Sequence, residues 1–288
     1  MGDIVPRQHA QEVWDRLAEG HFTPAPLRPL DVDGFPFKVL HVPRDQEFVP
    51  GVYLKTGLPL VAWPRLAAYR HRFVLLPLEN LAGGDRWAIH DGDVESWMAW
   101  SAHMDHIITF STFKSGASSP QTLHAQSFPK TDASGTVLTA LAGVPSDTIV
   151  PFGDMPHFEK LEIALLVEYP VRGLRLRVDG TQQGVKQLDR KVCEFALNYD
   201  DRKAFNLIIV PQEAGTPVAY FFPRRKDGTA ICGAARWQIA GLEVSGLLQV
   251  KTEDDLRCVD SRTVRALFDQ TSLRADEFAS FLKLVDSF

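Results

Sequence analysis

The chain has 288 residues, 45% hydrophobic and 23% charged, with a formal net charge of -5. That is enough for one large domain or two moderate ones around a buried core, and the acid excess excludes a general polyanion binder, so nucleic acid is not expected as a partner, while a local basic pocket is still allowed. No segment is apolar for long enough to span a bilayer, and the three cysteines, Cys193, Cys232 and Cys258, are scattered without a CxxC, which points to free thiols in the cytoplasm.

In chain order, residues 6–19 are predicted helical, with Val13, Trp14 and Leu17 on one face. They carry no apolar signal core, and Pro6 stands where a myristoylation motif begun by Met-Gly wants Ser or Thr. Residues 23–51 are rich in Pro and Gly and should be irregular apart from short extended pieces such as "FKVLHV". "LPLVAW" (58–63) and "RFVLLPL" (72–78) are nearly continuous apolar runs bounded by Pro, as expected of strands covered on both faces. Over 91–110, Val94, Trp97, Met98, Ser101 and Met104 or Asp105 follow a helical repeat, with Asp91 or Asp93 as cap.

Further on, 131–160 is predicted to be a long excursion and 162–178 to be extended, alternating at its end. Residues 183–199 form a helix whose stripe is Val185, Leu188, Val192, Phe195 and Ala196. "FNLIIV" (205–210) and "VAYFFP" (218–223) are strands, and "LEVSGLLQV" (242–250) is predicted as a third, with Gly246 marking a bulge or close approach. A capped amphipathic helix ends the chain, with Phe278, Phe281, Leu282 and Val285 inward. Each half thus holds two strands, the second ending in Pro, and later a strand with small residues, which suggests a degenerate duplication over 1–160 and 161–288. All nine histidines lie at or before His157, so only the first half can do histidine chemistry.

The most informative stretch is "SGASSPQTLHAQSFPK" (115–130). As a strand, "QTLHAQSF" puts Thr122, His124 and Gln126 on one face and Leu123 and Ala125 on the other. Three polar groups in a row are costly unless that face is wet or binds a polar ligand. The small residues before it, Ser115, Gly116, Ala117, Ser118 and Ser119, let backbone N–H groups approach an anion, above all a phosphate. Lys114 and Lys130 bracket the stretch and can supply charge.

These residues resemble the active-site segment of the histidine-triad-like nucleotidylyltransferases and phosphorylases. "EYPVRGLRLRVDG", "FNLIIV" and "WQIAGLEVSGLLQVK" resemble later blocks of the GDP-hexose phosphorylases, and "AYRHRFVLLP" their first-half strand. The resemblance implies an α+β fold of two degenerate halves with a mainly antiparallel sheet. It implies a phosphorylase that cleaves a GDP-hexose, or a related nucleoside diphosphate sugar, with inorganic phosphate to GDP and hexose 1-phosphate, without cofactor or metal, with a homodimer allowed. His124 takes the place of the nucleophile, Gln126 that of the phosphate-contacting glutamine, and 115–119 that of the phosphate loop. Thr122 stands where the motif has its first histidine, and Lys114 where an asparagine often precedes the loop. His71 falls one residue out of register, leaving Arg72 nearer the expected ligand position. A dinucleoside polyphosphate phosphorylase is the nearest alternative, and a nucleotide-binding protein without turnover, given Thr122 and Lys114, is the next.

Other motifs have plainer readings. His103 and His106 in "HMDH" could share a metal on one helix face, but no second ligand cluster supports it. Arg224, Arg225 and Lys226 could reach a phosphate, though basic residues at a strand end are usually solvated. Arg172 fits packing as well as ligand contact. Trp63, Trp87, Trp97, Trp100 and Trp237 could stack a base but suit core positions. Glu243, in an apolar segment, needs a partner, expected to be an arginine.

Overall fold

Ten strands join edge to edge in a single sheet, each neighbour antiparallel, and two layers cover its faces. The computed structural model describes residues 3–19, 22, 27–42, 53–65, 70–81, 88–112, 115, 122–144, 149–151, 161–198, 204–213, 215–225, 229–232 and 235–287. Helix α1 (Arg7–Ala18) precedes the hairpin β1 (Leu27–Val32) and β2 (Phe35–His41). Then come β3 (Leu54–Lys55), β4 (Leu60–Pro64), β5 (Phe73–Pro77), the short α2 (Leu78–Leu81), α3 (Asp93–Met104), β6 (His106–Ser111) and β7 (Ala125–Pro129). The second set is β8 (Ile149–Pro151), β9 (Leu161–Leu166), β10 (Gly173–Val178), α4 (Gln182–Asn198), β11 (Phe205–Val210) and β12 (Val218–Pro223). The chain ends with β13 (Thr229–Cys232), β14 (Ala235–Gln238), α5 (Gly241–Val244), β15 (Leu247–Val250), α6 (Glu253–Cys258), α7 (Ser261–Thr271) and α8 (Ala275–Asp286).

The sheet order, β3-β4-β5-β7-β6-β11-β12-β10-β9-β8, contains one arrangement twice. Read from either edge inward, the third strand in chain order is followed by the fifth and then the fourth, with a helix between third and fourth. The two sets meet where β6 pairs with β11, and Thr109 opposite Ile208 lies at the pseudo-twofold axis. Counting outward, Thr109 pairs with Gln126 and Ile208 with Tyr220, so Gln126 and Tyr220 hold equivalent places. Two residues earlier on each strand, His124 corresponds to Val218. The second set begins at β8, ahead of residue 161.

Strand alternation divides the core. One face meets α1, α3, α4 and α8 through Trp14, Trp97, Trp100, Leu188, Phe195 and Phe281, among others. The opposite face, mostly over the second strand set, is covered by a small sheet in which β2 pairs antiparallel with β1 and parallel with β15, together with α7. Val61, Val74 and Leu76 form a separate cluster on this face of the first set, with Trp63 against them.

The structure corrects three local expectations. The repeat over 91–110 is not one helix: it stops at Met104, Asp105 turns left-handed (φ 55°), and "HIITFS" is the inner strand β6. A run of β-branched and aromatic residues after a left-handed stop outweighs the helical spacing before it. Residues 242–250 are not one strand, because 241–244 wind into a helical turn and Gly246 (φ 108°) turns the chain into β15. A Cβ at Gly246 would stand 2.7 Å from the Ala140 backbone nitrogen, so both the torsion and the close approach require glycine. The α3 cap is neither Asp91 nor Asp93: Asp189 of α4 accepts from the N–H groups of Gly92, Val94 and Glu95 at 2.7, 2.9 and 3.2 Å.

Candidate active site

His124 is the residue immediately before β7, on the sheet face away from the helices. Asn80 of α2 donates to the Leu123 carbonyl at 3.3 Å and anchors the approach. The half-buried ring places Nδ1 2.9 Å from the Thr122 carbonyl oxygen. A carbonyl can only accept, so Nδ1 carries the proton and the lone pair sits on Nε2. The contact uses the backbone of residue 122 and is independent of its side chain. Burial, followed by the nearby Arg65 charge, holds the imidazole below its ordinary pKa against the opposing Thr122 bond, which keeps the ring neutral near pH 7.

Gln126 follows on the same face. Arg72, just before β5 and almost wholly buried, donates through Nη2 to the Gln126 Oε1. With its carbonyl end engaged, the amide turns its two N–H donors away from Arg72. Arg65 joins this group from the end of β4, where its N–H donates to the Arg72 carbonyl at 2.9 Å. Beside these polar groups lies the apolar floor of Val61, Val74 and Leu76, edged by Trp63, whose ring centre is 5.5 Å from that of Tyr53.

The second half reaches this place through α5. Gly241 packs so closely on β6 that a Cβ would meet the Phe110 carbonyl at 3.1 Å, and its N–H donates to the Ser111 hydroxyl at 2.8 Å. Glu243 accepts from the Ala240 N–H at 2.9 Å and lies within range of the Arg72 charge. Burial raises its pKa to about 6 despite those contacts.

The expected site residues are thus only partly brought together. His124, Gln126 and Arg72 converge, and Thr122 takes part through its carbonyl. Ser115 is fully buried at the seam between the strand sets, where its hydroxyl meets the Phe205 carbonyl and Asn206 donates to it at 3.1 Å, so it is not presented to a ligand. Lys130 lies past the other end of β7, about 20 Å of extended chain from His124. Lys114, Gly116, Ala117, Ser118 and Ser119 lie outside the described residues, as do Trp87 and Lys226.

The remaining motifs have structural partners. Arg224 bonds to the Thr271 carbonyl and Asn206, Arg225 to Glu277, and Arg172 to the Leu273 carbonyl. His103 meets the Val5 carbonyl, while His106, on β6 rather than the helix, meets Ser127. Ligand atoms of Asp91, Asp189 and Cys193 lie within 4.8 Å of one another. Asp189 is committed to capping α3, however, and burial and neighbouring carboxylates push the Cys193 thiol pKa up, which keeps it protonated. Among the described residues no helix is long and apolar enough to cross a membrane.

A family model described as GDPGP1-like, C-terminal domain, matches residues 144–287, half of the chain. The chain belongs to the GDPGP1-like family. The match covers the second strand set and the layer over it, whereas His124 lies upstream. No curated protein sequence matches the chain. Yeast Ap4A phosphorylase Apa2 in complex with Ap4A is similar at 13% identity over 95% of this chain and 99% of that one, with a TM-score of 0.67. The same yeast protein with AMP gives 12% identity, 94% and 97% coverage and a TM-score of 0.67. Without ligand it gives 10%, 95%, 96% and 0.68. At such identities the likeness is one of fold, and the fold of this GDPGP1-like chain is the α+β, histidine-triad-like one. Family and fold together class it with the nucleotide phosphorylases.

Sequence patterns did not single out Arg65, Asn80 or the role of Glu243. Arg65 and Asn80 follow strand ends that were recognised, and their approach to His124 depends on how β4, β5 and β7 lie side by side.

Proposed function

We propose that the chain is a phosphorylase of GDP-hexoses that works through a nucleotidyl-histidine on His124. The observation that supports it best is the Nδ1 contact to the Thr122 carbonyl, which leaves a neutral Nε2 lone pair on a face lined by Gln126, Arg72 and Arg65. Nε2 attacks the α-phosphorus, an N–P bond forms, and the bond from that phosphorus to the bridging oxygen breaks. Hexose 1-phosphate leaves with the electron pair. An oxygen of inorganic phosphate then attacks the same phosphorus, the N–P bond breaks, and GDP departs with the imidazole regenerated. The outward N–H groups of Gln126 and the neighbouring guanidinium charge suit the negative charge on the equatorial oxygens. The floor of Val61, Val74 and Leu76 with Trp63 suits the nucleoside.

A second reading, phosphorolysis of a dinucleoside polyphosphate, is favoured by one observation: the likeness to yeast Ap4A phosphorylase runs along nearly the whole of both chains. A phosphate-dependent screen separates the two. GDP-glucose, GDP-mannose or GDP-L-galactose should release GDP under the first reading, and diadenosine tetraphosphate should give ADP and ATP under the second. Heat on nucleotide titration without any product would leave a binding protein and end both. Label from an α-phosphorus-labelled substrate should stay on the protein in the absence of phosphate.

A further inference from the structure

A cavity of about 1270 Å³ opens between α1, the β1–β2 hairpin and the ends of β6 and β7, and neither His124 nor Gln126 lines it. At its wall is His106, with no exposed surface. Trp100 Nε1, which can only donate, reaches the Ser127 hydroxyl oxygen at 2.9 Å. Among the described residues the one acceptor in reach of the single hydroxyl proton of Ser127 is His106 Nδ1, also 2.9 Å away. Nδ1 therefore accepts, and the ring carries its proton on Nε2. That buried Nε2–H has no acceptor among the described residues, although a buried donor normally has one.

The surroundings point to what would accept from it. Arg7, in the first turn of α1, is near enough for its charge to act on His106, and Lys130 follows Pro129, the strand partner of His106. Both line the cavity, and among the described residues no side-chain bond engages either one. Two of the carboxylates in the wall are already occupied: Asp15 by Arg70 and His71, and Asp132 by Ser134 and Thr136. Gln11, Thr131 and Asp105 extend the wall with hydroxyl-matching groups.

We propose that this cavity is a second ligand site for a sugar phosphate, the phosphate held by Arg7 and Lys130 and, as the wall that covers it in the free protein gives way, by the His106 Nε2–H, and the sugar hydroxyls by Gln11, Thr131 and Asp105. It needs no turnover, so it stands or falls apart from the proposed reaction.

The test uses the full chain with side-chain 15N-labelled histidine and glucose 1-phosphate as the probe. His106 should show a slowly exchanging Nε2–H signal that moves on titration, in His124→Asn protein as in the parent. Arg7→Ala, on an exposed position, should weaken that response at least tenfold while leaving the His124 signals unchanged. His106→Gln, which keeps a donor, should retain more affinity than His106→Phe. The proposal is overturned if the His106 proton resides on Nδ1, if its signal ignores the sugar phosphate, or if Arg7→Ala responds like the parent. Inorganic phosphate alone should move the same signal more weakly, and an equal response to it would overturn the sugar part.

Discussion

The two strand sets share one topology and differ in what lies on the face away from the helices. Over the second set, Val218, Tyr220 and Phe222 are buried against Phe37, Leu248 and Phe268 of the covering layer. At the equivalent places in the first set stand His124 and Gln126, half-buried, with Arg72 against Gln126. The position equivalent to Arg72 is Gly173, where a Cβ would come 2.5 Å from the Phe222 ring. One half thus spends its face on packing and the other keeps it polar. A sheet tolerates such a division because alternation isolates the two faces, so the helix-side core is the same in kind across both sets.

If this division holds, damage to the first face should cost chemistry and damage to the second set should cost stability. His124→Asn should lower phosphorolysis by about a thousandfold or more while leaving the denaturation midpoint near that of the parent. Retained turnover would remove the nucleophile, and unfolding would make the residue part of the core. Phe221→Ala should cost about 3–5 kcal/mol in chemical denaturation, since the ring is fully buried and stacked between Phe205 at 4.8 Å and Phe281 at 5.9 Å. The surviving folded protein should keep most of its turnover per molecule.

Asp189→Ala tests the coupling of the halves more gently. It strips the cap that α4 supplies to α3 and should destabilise by about 1–2 kcal/mol. Asp189→Asn, which still accepts hydrogen bonds, should lose less. The smallest effect lies in pH. Because burial and Arg65 lower the His124 pKa, the lone pair survives below the ordinary imidazole value of 6.5. The acid limb of the kcat/KM profile should therefore be centred below pH 6.5, as protonation blocks Nε2. An acid limb centred at or above 6.5 would contradict that environment.

Much of the fold was legible because it rests on local periodicity. The helices over 6–19 and 183–199 and the capped C-terminal helix match α1, α4 and α8 closely. The runs at 205–210 and 218–223 coincide with β11 and β12. Elements with weak or competing periodicity were not. β6 continues the helical spacing of the residues before it, the turn at 242–246 lies in a run that reads as strand, and α6, α7, β13 and β14 carry no pattern that singles them out. In the site, the face shared by His124 and Gln126 followed from alternation alone. The buried state of Ser115 did not, since it depends on a partner ninety residues away.

By itself the sequence determined the residue types and their local phase: a histidine and a glutamine two apart, histidines confined to the first half, and apolar stripes of the right period. Only the tertiary structure decided which cations reach that histidine, which carbonyl takes its proton, and which half is covered. Those outcomes are set by strand register between distant segments, and register is fixed by the burial of whole faces rather than by any short run of residues.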